Sequence, residues 1–599
     1  MAAASKSVVS DPNSTDTWPK WQVALAIGAP LAVVIGGLWV YRRSKRKDAK
    51  SSPKKQDGRD NTASPPKTGK DKSSTPSPTK PASIPDEDQT PLEKAQAEKN
   101  KGNKYFKGTR YDQAITCYTQ AIRMCPPGNK TDLATFYHNR AAAYEKLRNN
   151  KMVIEDCTTA LELNNRYVKA LTRRASACEQ LEDLSQALED VTALCILEGF
   201  QNPTSLQTAD RVLKNLGQTK AKEAFRNRKP AMPSKHFIRT YFAAFVNDPI
   251  LNAAKTTTPP KPVEDGQVAN GEASDVSPYQ QALWKITAEE YDDIISLCTQ
   301  ELDLPDSQSQ PEAKLLRATL YLLCNQYDLA LADLKVVLSE EDIPKRLRVN
   351  AMIKRGSIYI QMEKQTEGLD DFASAVRIDP ENADIYHHRG HHNIQLERID
   401  DALRDLENAI SKDPTFAASH VQKSFAEHKR TAMQMMGSNL PLPQAVLQSY
   451  KANVDMFPTN GDARALYAQA LGDAGKFEEA EMQFSEAVRL DPDNATALVH
   501  RGLLKLQADK DIKEATNTIN SALELDPRCE YAYEVLGTLE VQQGHMDYAM
   551  GHFQKAIEYS RTESEMSHLF SLLEAAKAQL NVAKNFGIQL PGLGGPPMV

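Results

Sequence analysis

The chain lacks the short motifs that announce catalysis. None of its 599 residues falls in a CxxC pair, a GxxxxGKS/T phosphate loop, an HExxH zinc helix or a GxSxG nucleophile turn. Dithiol exchange, P-loop nucleotide hydrolysis, zincin proteolysis and serine hydrolysis therefore have no local signature. Cysteine is sparse: Cys117, Cys125, Cys157, Cys178, Cys195, Cys298, Cys324 and Cys529 are scattered singly through helical sequence. That spacing reads as reduced, mostly buried thiols of a cytosol-facing protein rather than a disulfide framework. Metal-ligand patterns are scarce as well. His387, His388, His391 and His392 form two i, i+4 pairs, but no carboxylate or cysteine completes a set close by in sequence. With Arg389 they read as a polar wall, and neither metal nor cofactor is expected.

What is present is a repeat of about 34 residues. Pro380, Pro414, Pro458, Pro492 and Pro527 each close a helical hairpin, at intervals of 34, 44, 34 and 35 residues, so one unit carries an insertion of about ten. Within the unit after Gly461, Gly475 separates two helices, Ala480 and Ala487 are small where the helices cross, Phe484 fills the gap, and Pro492 stops the second helix. The same offsets return at Gly102, Ala114, Tyr118, Ala121 and Pro126, at Gly356, Phe372 and Ala375, at Gly390, Ala402 and Ala409, and at Gly537, Ala549, Phe553 and Ala556. This is the tetratricopeptide (TPR) period. A single hairpin cannot bury its apolar face, so the units stack into a superhelix whose first helices line a concave wall. The expected fold is all-α: a solenoid of about eleven hairpins, preceded by a transmembrane helix and a disordered spacer.

The net charge of −6 conceals an asymmetry. Residues 42–80 carry 13 Lys/Arg and 4 Asp/Glu, a net of +9, residues 1–41 balance at zero, and residues 81–599 sum to −15. An acidic body is either a solubility device or a field that attracts basic partners. Val23–Tyr41 is uncharged, is bracketed by Trp18 and Trp21 at one end and by its own Trp39 and Tyr41 at the other, and is followed by Arg42, Arg43, Lys45, Arg46 and Lys47. At 1.5 Å per residue this run spans a bilayer core, and the positive cluster after it keeps the remainder cytosolic. An uncleaved signal anchor is expected, since a signal peptide carries its charge in front. Asn13-Ser14-Thr15 has the form of a glycosylation sequon, relevant only in a secretory compartment. The expected order is a tail at 1–22, anchor at 23–41, basic disordered linker at 42–90, three-repeat domain at 91–200, bridging helices at 201–250, disordered insertion at 251–277 and a second repeat domain at 278–599.

The first three hairpins hold the clearest chemical constellation. Lys99 and Asn103 in KNKGN, Asn139 in HNRAA, and Lys169 and Arg173 in KALTRRA fall on successive first helices, and both cation-bearing pairs are i, i+4. Three cations with two carboxamides suit a ligand bearing two carboxylates and an extended backbone.

These five residues resemble the dicarboxylate clamp of TPR co-chaperones. With the anchor, the basic stalk, the split of three and about eight hairpins, and the segments ALEDVTALCILEGFQN and IYHHRG, the chain from the anchor onward resembles the large TPR import receptors of the mitochondrial outer-membrane translocase (TOM complex), specifically their animal members. The resemblance implies that Lys99, Asn103, Asn139, Lys169 and Arg173 hold the Glu-Glu-Val-Asp tails of cytosolic heat-shock chaperones. It implies a C-terminal groove for mitochondrial preproteins, especially carriers with internal targeting signals, and contact with other translocase subunits. It places the protein in the outer membrane with its N-terminus in the intermembrane space, and nucleic acid is not an expected partner. From hairpin geometry His387, His391, Gln469, His500 and Glu534 are expected on the inner wall, with Leu504 offering apolar contact. Two alternatives stand beside this reading: a chaperone-docking TPR receptor of the endoplasmic reticulum membrane, and an enzyme carrying a TPR array. The missing catalytic motifs disfavour the latter.

Overall fold

The computed structural model describes residues 90–228, 230–257, 276–435 and 442–587. The expected anchor, the sequon and almost all of the 42–90 linker lie outside them. The described residues form 26 α-helices and no strand. Among them no helix is long and apolar enough to cross a membrane.

By contacts the chain divides into two compact units. Of the described residues, the first comprises those within 90–219, 540–550 and 570–587, and the second those within 220–539 and 551–569. The first unit starts with three hairpins: α1 (Pro91–Lys107) with α2 (Tyr111–Met124), α3 (Lys130–Lys146) with α4 (Asn150–Leu163), and α5 (Val168–Gln180) with α6 (Leu184–Leu197). The long α7 (Pro203–Arg226) follows. Thr90 opens α1 as a reciprocal capping box with Glu93, which fixes where the first repeat begins. Gly102 shows why the hairpins need a small residue at the crossing. A Cβ there would sit 2.7 Å from the Tyr118 ring, closer than any side chain tolerates, so glycine lets α1 and α2 meet. The core of this unit also includes residues of the last described helix. Val582 packs with Ala134, Leu161, Leu171 and Leu194, and Ala578 with Cys178, Leu188, Val212 and Leu216. Asn581 Nδ2 donates to Glu189 at 2.5 Å, and Asn165 Nδ2 to the carbonyl of Asn585, 420 residues away, at 2.9 Å.

The second unit opens with α8 (Lys235–Ala243) and α9 (Pro249–Thr256). Eight pairs follow: α10 (Pro278–Thr287) with α11 (Ile294–Leu302), α12 (Gln310–Leu323) with α13 (Tyr327–Ser339), α14 (Lys345–Gln361) with α15 (Gln365–Ile378), α16 (Ala383–Gln395) with α17 (Ile399–Lys412), α18 (Ala417–Gln434) with α19 (Gln444–Met456), α20 (Gly461–Asp473) with α21 (Phe477–Leu490), α22 (Ala495–Asp509) with α23 (Ile512–Leu525), and α24 (Glu530–Gln543) with α25 (Met546–Tyr559). α26 (Glu563–Phe586) ends the described helices, and by contacts residues 540–550 of the last pair and 570–586 of α26 belong to the first unit. Residues 251–256, expected at the start of a disordered insertion, are helical. Asp248 caps α9 through the amides of Ile250 and Leu251, Pro249 supplies a preset φ at the first helical position, and Ile250 and Ala254 are buried. Asp248 also receives Lys354 Nζ at 3.0 Å and Asn350 Nδ2 at 3.1 Å, all three side chains being buried, which pins α9 to α14.

Two devices recur that the proline punctuation does not reveal. In five hairpins an arginine of the first helix grips an aspartate 16 residues later through Nε and Nη2: Arg140–Asp156, Arg174–Asp190, Arg317–Asp333, Arg355–Asp371 and Arg389–Asp405. These two-pronged pairs are largely buried and lock each hairpin in register. The turns within hairpins pass through left-handed residues. Gly475 does so at φ 73°, but Thr109, Arg148, Glu182, Asn325, Glu363 and Glu397 do so at φ 57–63° without being glycine.

Candidate functional site

The first helices of the first unit carry the five expected clamp residues: Lys99 and Asn103 on α1, Asn139 on α3, Lys169 and Arg173 on α5. α1 and α3 are tied by Gln96 Nε2 donating to Asp132 at 3.3 Å. Asn103 is oriented by its own hairpin. The buried Tyr118 hydroxyl donates to Asn103 Oδ1 at 2.8 Å, and burial pushes that phenol up to about 12, so it stays a donor. This leaves the carboxamide N–H groups of Asn103 available.

Next to Asn139 stands a residue the motif reading passed over. His138 is buried, and its pKa is pushed down to about 4 by burial first, then by Arg173 and Lys169. The imidazole is neutral near pH 7 and accepts from a cation. Arg173 Nη1 lies 2.9 Å from its ring nitrogens, and the Tyr167 ring packs against it at 5.0 Å. Arg173 Nε donates to Glu145 Oε2 of α3 at 2.8 Å. The structure thus gathers Lys169 and Arg173 beside His138, one residue before Asn139. Lys99 and Asn103 sit on α1, and among the described residues no contact joins them directly to that group. Lys99, Asn139 and Lys169 engage no hydrogen bond or ion pair among the described residues. The arrangement offers two unpaired ammonium groups, a guanidinium held at one edge, and two carboxamides.

The five residues expected on an inner wall of the second unit are differently placed. His387 is buried and bonded to Ser419 Oγ at 3.0 Å, and Glu534 is buried and accepts from His568 at 3.2 Å. His391 accepts from Gln395 at 3.0 Å, His500 packs on Tyr531 at 5.2 Å, and Gln469 is half-buried on α20. No contact among the described residues brings the five together. The polar wall read at His387, His388 and Arg389 is corrected: Arg389 is taken by Asp405, and His388 is buried against the Phe245 ring at 4.0 Å. Burial pushes His387 and His392 down to about 3, so these histidines are neutral packing groups. Among the described residues no cluster could hold a metal ion. Leu504, expected to be free for apolar contact, is 5% exposed and packs against Gly472. An open groove of about 650 Å³ does lie in this unit, edged by Lys235, His236, Glu289, Asp293, Asp493 and Arg528. None of the five expected residues lines it.

A tetratricopeptide-repeat family model matches residues 466–515. Along its length the chain is 43% identical over 583 residues to the Homo sapiens protein named mitochondrial import receptor subunit TOM70, covering 96% of this chain and 94% of that one. It is 26% identical over 526 residues to the Saccharomyces cerevisiae protein of the same name, covering 82% and 80%. Among solved structures, the crystal structure of yeast Tom70 aligns over 82% of this chain and 96% of that chain, with a TM-score of 0.45 and 24% identity. With more than two fifths of its residues shared with the human protein across nearly the whole length, the chain belongs to the TOM70 family of mitochondrial import receptor subunits.

Proposed function

We propose that the chain is a receptor of the mitochondrial outer membrane that docks cytosolic chaperones through the first unit and receives their preprotein cargo on the second, for delivery to the translocase. Membership of a receptor family built as a repeat solenoid makes it a non-enzyme, so its work is recognition and handover. The observation that carries the chaperone half is the α3–α5 group: Lys169 and Arg173 press on His138 while Asn139 and the ammonium of Lys169 stay free of internal partners. A Glu-Glu-Val-Asp chain end carries a side-chain carboxylate and a terminal carboxylate on its last residue. Arg173 takes one of these, Lys99 and Lys169 neutralise the other, and Asn103 and Asn139 bond to the peptide backbone.

The cargo half rests on the length of repeat beyond the clamp, eight helix pairs from Pro278 onward, far more than a chain end of four residues requires. Its partners are preproteins, carriers above all, and other subunits of the translocase. Val23–Tyr41 serves as a single-pass anchor with the repeats in the cytosol.

The test is calorimetric titration of the intact protein with a Glu-Glu-Val-Asp peptide. Arg173→Ala leaves a desolvated carboxylate unpaired and should cost about 2–5 kcal/mol. An unchanged dissociation constant removes Arg173, and with it the clamp, from the binding site.

A further inference from the structure

We infer that Glu145 is a resident carboxylate of the clamp: it occupies the edge of Arg173 that an incoming carboxylate needs, and so sets how tightly acidic chain ends are held. This rests on the clamp reading of the first unit.

A guanidinium grips a carboxylate best with two parallel N–H groups. The neighbouring Arg174 shows the geometry, with Nε at 2.9 Å and Nη2 at 2.6 Å from the two oxygens of Asp190. Arg173 has no such edge to offer. Its Nε is given to Glu145 at 2.8 Å, and its Nη1 faces the His138 ring at 2.9 Å and the His138 carbonyl at 3.5 Å. Nη2 alone remains, and its two N–H groups diverge, so it makes only a single-pronged contact with any one carboxylate. A ligand carboxylate reaches the two-pronged arrangement by displacing Glu145.

The two arginines differ in how firmly their acids are held. Asp190 is 2% exposed and takes two prongs, whereas Glu145 is 41% exposed and is held through Nε only. A half-exposed ion pair of this kind is weak, which makes Glu145 exchangeable where Asp190 is fixed. His138 stays in place during the exchange. Burial and the two adjacent cations keep it neutral, so it goes on accepting from Nη1 and holds the guanidinium in plane. Glu145 therefore lowers the affinity of the clamp in two ways, by competing for Nε and by repelling a second negative charge.

The experiment titrates the intact protein with a Glu-Glu-Val-Asp peptide across a range of salt concentrations, using Glu145→Gln, Glu145→Asp and Arg173→Ala. Glu145→Gln keeps the shape and removes the charge, and should tighten binding about 2- to 5-fold with a steeper salt dependence. Glu145→Asp, which keeps the competing charge, should stay near the wild-type affinity. Binding by Glu145→Gln that is unchanged or weaker, while Arg173→Ala still loses binding, overturns the inference and leaves the clamp standing. Binding unaffected by Arg173→Ala overturns the clamp reading itself.

Discussion

Removing residues 570–599 should damage the clamp, although no clamp residue lies within about 400 positions of that segment in the chain. The reach follows from packing: Val582 and Ala578 belong to the core clusters that hold α5 and α6 in the first unit. Leu573 and Val582 are each 3% exposed. Burying a leucine or valine contributes about 1.5–3 kcal/mol, so their loss amounts to about 3–6 kcal/mol before counting the bonds from Asn581 to Glu189 and from Asn165 to Asn585. Against a total of about 5–15 kcal/mol for a typical domain, that is a large fraction. Native-state hydrogen exchange reads the effect locally. Amides of α5 and α6 should lose protection in the shortened protein, and peptide binding should weaken with them. Val582→Ala, which removes two carbons, should give a graded version of about 1.5–2 kcal/mol. Unchanged protection in α5 and α6 after the deletion would refute the packing argument.

The remaining expectations concern stability, pH and topology. Asp190→Asn strands the largely buried Arg174 and should cost about 3–5 kcal/mol in chemical denaturation of the first unit, whereas breaking the solvated Arg489–Glu486 pair should leave the midpoint unmoved. Burial holds His138 and His500 down to about 4 and His387 and His392 to about 3, against 6.5 when unfolded, so the unfolded chain binds more protons and stability should fall as pH drops from about 6.5 toward 4. Asp384 and Asp473, raised to about 6 by burial, act in the opposite sense between about 4 and 6, so the loss should begin most clearly between pH 7 and 6; a midpoint that rises on that acidification would contradict the assignment. Protease added to intact mitochondria should release a soluble body cut between Arg42 and Thr90, and protection until the outer membrane is opened would reverse the proposed topology.

The repeat period was legible because each unit must stop its second helix and cross its two helices closely, and both needs select residue types. Pro492 and Ala480 announce themselves for that reason, as does Gly102 against Tyr118. The turn residues were not legible. Arg148 and Glu182 are carried into left-handed geometry by the helices they join, and their identities give no hint of it. The Arg–Asp pairs escaped because a spacing of 16 has meaning only once two helices lie side by side. For the same reason Arg389 read as surface. Burial of His387, His388 and Glu534 was hidden too, since polar residues on a first helix pack inward when the next repeat covers them. The clamp residues were readable as types at spacings, but Glu145 and His138 gained meaning only from their distances to Arg173. The return of α26 to the first unit is a contact across 420 residues, which no local pattern carries.

The central claim is that clamp and repeat body act together as a receptor on mitochondria. The most direct measurement is carrier import into isolated mitochondria whose own receptor has been replaced by this chain, either wild type or Arg173→Ala, with free Glu-Glu-Val-Asp peptide as competitor. The wild-type chain should support import that the peptide inhibits, and Arg173→Ala should import poorly and show no further inhibition by the peptide. Import by Arg173→Ala at the wild-type rate, or wild-type import indifferent to the peptide, would contradict it.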